Sequence, residues 1–163
     1  MRVSRSRSFG GFRHRSRVAE QTSAFQLRVL LVGFLDEGFA AESVAVQLRT
    51  AGFTVQRFHE WFKDENGRPL SNVPDPEVIR FCHKNGWLLV SRDHEMKNLH
   101  REEIRKSEVA ILATANNKAV DQGEWVIAII SLKSRILREF KKCERPWFAT
   151  FTRSATMTIE TMK

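Results

Sequence analysis

The chain has 163 residues, enough for one domain with a full core, and 42% of them are hydrophobic, as in an ordinary globular protein. Its net charge is +8, but residues 1 to 28 hold seven arginines against one acid; the rest, twenty bases against eighteen acids, is nearly neutral, so charge alone does not make the folded part a nucleic-acid binder. No window approaches the ~20 apolar residues of a membrane span, nothing near the start has a signal peptide's apolar core, and Cys82 and Cys143 form neither a zinc motif nor a disulfide framework, so cytoplasmic residence is expected.

Residues 1–26 are rich in Arg, Ser and Gly without a sustained apolar period, and read as a disordered basic tail preceding a domain over 27–163. The tail is either an electrostatic arm for RNA phosphates or a dispensable extension. Its Arg-rich, acid-poor start also resembles a transit peptide, without that peptide's amphipathic pattern.

Val29 to Leu35 is an apolar run suited to a strand buried on both faces, and it stops at Asp36 and Glu37. Ala41, Val44, Ala45 and Leu48 then give the stripe of a helix, with Gly52 as its left-handed stop. Phe53 to Phe58 reads as a second strand. The connection from His59 to Pro74 is long for a βα loop; Trp61 and Phe62 in it either contact a partner or tuck onto the core, and Asn66-Gly67 marks a turn. Pro74-Asp75-Pro76-Glu77 starts a helix, with Asp75 at the cap and proline at the first helical position, whose apolar face is Val78, Ile79, Phe81 and Cys82. Trp87 to Ser91 is a short buried strand running directly into Asp93-His94-Glu95. Met96 to Lys106 is charged and weakly periodic, consistent with a short helix, and Val109 to Leu112 is a fourth strand. Trp125, Ile129, Leu132, Ile136 and Phe140 predict one long amphipathic helix from about Val120 to Phe140. Trp147 to Phe151 and Met157 to Ile159 read as a hairpin closing one edge.

Strands alternating with helices imply an α/β fold with a parallel sheet covered on both sides. Ligands in such sheets sit beyond the carboxyl ends of the strands, where Asp36, Asp75 and Asp93 all lie. Gathered carboxylates repel: at an effective dielectric of about 20, two unit charges 4 Å apart cost roughly 4 kcal/mol. Protons or a cation must offset that. Oxygen donors with open positions suit Mg²⁺ or Mn²⁺ rather than zinc, and metal-assisted attack on a phosphodiester is the chemistry such a site equips. Taken singly, each aspartate is as readily a helix cap; together at one sheet edge, with Glu37 and Glu95 close by, they favour a metal site. Arg92 is the nearest cation for a substrate phosphate or else a surface ion-pair partner, and His94 either orients substrate or is a solvated loop residue.

Three segments carry a resemblance: Phe34-Leu35-Asp36-Glu37-Gly38, Pro74-Asp75-Pro76-Glu77-Val78, and Leu89-Val90-Ser91-Arg92-Asp93-His94-Glu95-Met96. They resemble the signature segments of the PIN-like nucleases, particularly the compact branch related to VapC-type toxins. The resemblance implies a three-layer α/β/α sandwich, Mg²⁺- or Mn²⁺-dependent endoribonuclease activity on RNA, the toxin half of a toxin-antitoxin pair, and an antitoxin protein as partner, with a homodimer left open. It makes Asp36, Asp75, Asp93 and Glu95 catalytic metal ligands. Glu95 stands where the family more often has Asp, Gly38 where Asn is usual, and the 59–74 connection is longer than in many members. Those departures leave a second reading, a catalytically silent PIN-like module that binds RNA or protein. A third, a signalling receiver, would explain acids after the first strand and Thr114 after the fourth, but lacks the Lys expected after the next strand.

Overall fold

The computed structural model describes residues 31–116 and 121–163. The basic tail, the boundary at 26/27, and Val29 and Leu30 of the first predicted strand lie outside the described residues. Six strands form one sheet in the order β2-β1-β3-β4-β5-β6, where β1 is Val32–Leu35, β2 Thr54–Arg57, β3 Leu88–Ser91, β4 Ala110–Thr114, β5 Trp147–Phe151 and β6 Met157–Thr161. All neighbouring pairs are parallel except the hairpin β5–β6, as the alternation of elements and the C-terminal hairpin signal lead one to expect.

Period-two alternation in the strands divides the core in two. Phe34, Leu89, Ile111 and Phe148 point to one face, where they meet Val78, Ile79 and Cys82 of α3 (Asp75–Asn85), Met96 of α4 (Met96–Leu99) and Ile104 of α5 (Arg101–Ser107). Leu35, Val90, Leu112 and Ala149 point to the other, against Val44 and Leu48 of α1 (Glu42–Thr50), Trp125 and Ile129 of α6 (Gln122–Ser131), and Ile136 and Phe140 of α7 (Lys133–Lys142). The result is the expected three-layer α/β/α sandwich. No helix among the described residues is long and apolar enough to cross a membrane.

Three local expectations are revised. The single helix over Val120–Phe140 is two, meeting at Leu132. Near the junction Ser131 donates its hydroxyl to the carbonyl of Ile127 four residues back, a bond that bends helices. Asp75 is not a cap: Pro74 holds the cap position and Asp75 is the first residue of α3, with Pro76 next. The weakly periodic stretch after Glu95 holds two short helices, α4 and α5, rather than one.

The long link after β2 begins with the single turn α2 (Phe58–Trp61) and is drawn together by a bridge between Lys63 and Pro69 around the turn at Gly67. Phe62 tucks against Phe34, Phe58 and Phe81, whereas Trp61 is half exposed and packs edge-on against Trp87. Side chains close the outer edge of β2: Arg49 donates to the Val55 carbonyl at 2.9 Å, and the Arg57 N–H donates to Glu60 at 2.9 Å.

Candidate active site

The chain crosses from β1 outward to β2 and then back over β1 to β3, so the strand order reverses between β1 and β3. A crevice opens at such a reversal, beyond the carboxyl ends of the two strands. Asp36 leaves β1 there and Asp93 leaves β3, while α3 brings Asp75 in from above. The three aspartates share an open cleft of about 430 Å³ with Glu37, Gly38 and Arg92. Glu95 does not line it and is exposed; His94 is half-buried and does not line it either.

Asp36 is the most constrained of the three. Its N–H donates to the Val90 carbonyl at 3.1 Å, continuing the β1–β3 ladder by one residue, and its own carbonyl accepts from Phe39 as the chain enters the 3-10 turn Glu37–Phe39. The outer part of the residue reaches the cleft, but carboxylate Oδ1 is buried and makes no hydrogen bond among the described residues. Burial pushes the carboxyl up from 3.8 to about 6, with the Asp75 charge adding to the rise and the nearby Ser91 hydroxyl and the Phe39 and Gly38 N–H groups partly offsetting it. Those donors approach closely enough to moderate the shift without making an aligned bond to Oδ1. A Cβ on Gly38 would lie 3.3 Å from both that oxygen and the Arg92 Cβ, so glycine keeps the wall of the cleft free of a side chain.

Behind Asp93 stands a set of buried hydroxyls. The fully buried Ser91 accepts the Asp93 N–H at 3.0 Å, and Asp93 Oδ1 in turn accepts the Glu95 N–H at 2.8 Å. Thr114, buried at the end of β4, has its hydroxyl 2.8 Å from the Arg92 carbonyl and 3.1 Å from that of Asn116. Gln122, at the start of α6, donates to the Gly38 carbonyl at 3.0 Å. Asp75 is met by His100, whose Nε2 lies 3.2 Å from Oδ2. Arg92 forms no ion pair among the described residues, so the cleft's one cation faces four acids with its guanidinium uncommitted.

Hard oxygen donors, an orphaned buried carboxylate oxygen and a raised carboxyl pKa fit a hard divalent cation. No three of the described carboxylates, histidines and cysteines close around one point. Two of the three aspartates are engaged by the protein itself, Asp75 by His100 and Asp93 by the Glu95 N–H. Mg²⁺ nevertheless commonly binds through one or two carboxylates plus waters and substrate phosphate, so a full protein cage is not required.

Sequence reasoning missed His100, Ser91, Thr114 as a site residue, and Gln122. Ser91 had a usable signal, a hydroxyl two residues before an acid at a strand end, the spacing of a side-chain turn. His100 had none, lying 25 residues from its partner.

A family profile described as a PIN like domain matches residues 32–116, just over half of the chain and all six cleft-lining residues. No curated protein and no solved structure matches the chain.

Proposed function

Because the chain belongs to the PIN-like domain family, within a superfamily of nucleases, we propose that it is a Mg²⁺- or Mn²⁺-dependent endoribonuclease that hydrolyses RNA phosphodiester bonds, the toxin of a toxin-antitoxin pair. The observation that supports the metal-dependent part is the buried Oδ1 of Asp36, without a hydrogen-bond partner among the described residues, on a side chain that lines the same cleft as Asp75 and Asp93. An ionised carboxylate that is desolvated and only partly compensated by nearby donors is costly, and a cation is a partner that removes the cost. Asp36 would be the central ligand, with Asp75 and Asp93 on either side. When bound, the ion supplies a more acidic water and charge stabilisation for phosphate oxygens. The guanidinium of Arg92 holds a non-bridging phosphate oxygen, Gly38 leaves the entrance clear, and Ser91 and Thr114 fix the turn that carries Arg92 and Asp93.

The toxin assignment and the antitoxin partner rest on the resemblance to VapC-type proteins. Glu95 is proposed only as an outer carboxylate, given its exposure. The silent RNA- or protein-binding module is kept as a second reading because no three of the described acids close on one point.

The purified full chain is incubated with a fluorogenic RNA in Mn²⁺, in Mg²⁺ and in EDTA. Cleavage is expected with either ion and not in EDTA. Asp36→Asn and Asp93→Asn should each lower it by more than the roughly 10–100-fold typical of losing a supporting partner of a metal ligand. RNA binding without cleavage under all three conditions would favour the silent module. Growth arrest on expression, relieved by Asp36→Asn, tests the toxin assignment.

A further inference from the structure

His100 occupies the junction between α4 and α5 and is fixed by its backbone: its N–H donates to the Met96 carbonyl at 2.9 Å and its carbonyl accepts the Ile104 N–H at 3.0 Å. Asp75 is fixed as firmly, as the first residue of α3 between two prolines. The two side chains meet across the α3–α5 contact at 3.2 Å, with Asp75 40% exposed and His100 25% exposed. An ionised carboxylate only accepts, so Nε2 carries the proton of this bond. The bond takes up Oδ2 alone; Oδ1 makes no hydrogen bond among the described residues. A second tie joins the same two helices further from the cleft, where Arg80 pairs with Glu103 at 3.2 Å. The helices are therefore held together independently of His100, and the Asp75 bond is spent on orienting a cleft carboxylate.

We propose that His100 is a positioning residue that anchors Oδ2 of Asp75 so that Oδ1 is presented to the divalent ion. The proposal rests on the metal-dependent reading above. A carboxylate at a helix start, open to solvent, samples several rotamers, and a ligand that must be ordered at the moment of binding binds its ion more weakly. The bond removes that freedom beforehand. Groups that orient metal-ligating side chains typically account for 10–100-fold in metal affinity.

The test measures Mn²⁺ affinity directly, by the electron paramagnetic resonance of free Mn²⁺ titrated into the full chain, for wild type and for His100→Ala, His100→Gln, Arg80→Ala and Asp36→Asn. His100→Ala is expected to weaken Mn²⁺ about 10–100-fold. His100→Gln, which keeps a donor near the Nε2 position, should recover most of the loss. Arg80→Ala, which removes the other interhelical tie, should bind as wild type does. Mn²⁺ affinity in His100→Ala equal to or tighter than wild type overturns the proposal, and so does a loss matched by Arg80→Ala. If His100→Ala does not fold, His100→Leu takes its place, and equal affinity in His100→Leu and His100→Gln overturns it. Wild type binding that disappears in Asp36→Asn but survives in His100→Ala removes the role of His100 alone. A wild type that binds no Mn²⁺ removes the metal-dependent reading and this proposal with it.

Discussion

The backbone N–H of Asp36 donates to the carbonyl of Val90 at 3.1 Å, so the acid that ends one strand is held by the strand beside it. That bond carries the β1–β3 pairing one residue past Leu35 and Val90, to the lip of the cleft. The backbone of Asp36 is thus positioned by the sheet.

A pH-dependent stability follows for the metal-free protein. The folded state raises the Asp36 carboxyl from 3.8 to about 6, so the folded chain holds a proton that the unfolded chain has released. The benefit of that proton is fully present below the unfolded value near 3.8 and is lost as pH rises through 6, an effect of at most about 3 kcal/mol. Asp36→Asn in EDTA is expected to be more stable than wild type at pH 8, with the difference shrinking as pH falls from 6 towards 4. Urea melts across that range check it; a constant difference would show that burial does not perturb this acid.

Arg92→Ala should lower kcat/KM for RNA about 10- to 150-fold, as expected for losing one charge-assisted hydrogen bond worth about 1.5–3 kcal/mol. Mn²⁺ affinity should be unchanged or slightly tighter, because the substitution removes a positive charge from an acidic cleft. Parallel cleavage assays and Mn²⁺ titrations separate the two, and weakened Mn²⁺ binding would count against a substrate role.

Thr114→Val leaves the Arg92 carbonyl without its 2.8 Å donor inside the protein, at an expected cost of about 1–3 kcal/mol. Thr114→Ser keeps the hydroxyl and loses one methyl group, about 1 kcal/mol. The valine variant should also cleave RNA more slowly, since the turn it loosens carries Arg92 and Asp93. Equal urea midpoints for the two variants would show that the hydroxyl has no structural part.

Besides Asn72 (φ 59°), a residue type that tolerates this conformation, two described non-glycine residues sit in the left-handed region, Glu108 at the end of α5 (φ 48°) and Ala155 in the β5–β6 turn (φ 55°). Replacing either with glycine removes a conformational cost of about 1–2 kcal/mol and adds about 0.5–1 kcal/mol of unfolded-chain freedom, for a net gain of up to about 1.5 kcal/mol. Thermal melts of Glu108→Gly and Ala155→Gly test the balance.

Much of this architecture was legible because its strongest signals are local. Asp36 and Asp93 end apolar runs abruptly, and a run buried on both faces can stop only where the sheet meets solvent. Asp75 lines the cleft as the first residue of α3 rather than as its cap, because Pro-Asp-Pro permits two placements of the first helical turn. The bend at Leu132 was invisible because Trp125, Ile129, Leu132, Ile136 and Phe140 mark the same buried stripe on a straight helix and a bent one. His100 was invisible for a different reason: its role depends on α3 and α5 lying side by side, a packing fact with no counterpart in the spacing of residues. Glu95, close in the chain to Asp93, is exposed and is not among the residues that line the cleft.

The side chains along β2 bear on how copies of this chain can meet. With the Val55 carbonyl taken by Arg49 and the Arg57 N–H by Glu60, that margin of the sheet offers little to template an incoming strand. Among the described residues the opposite margin, β6, is the remaining place where the ladder could continue. Two molecules joined there would present only blocked margins outward, so polymerisation by strand addition terminates at a pair instead of running on into a fibril.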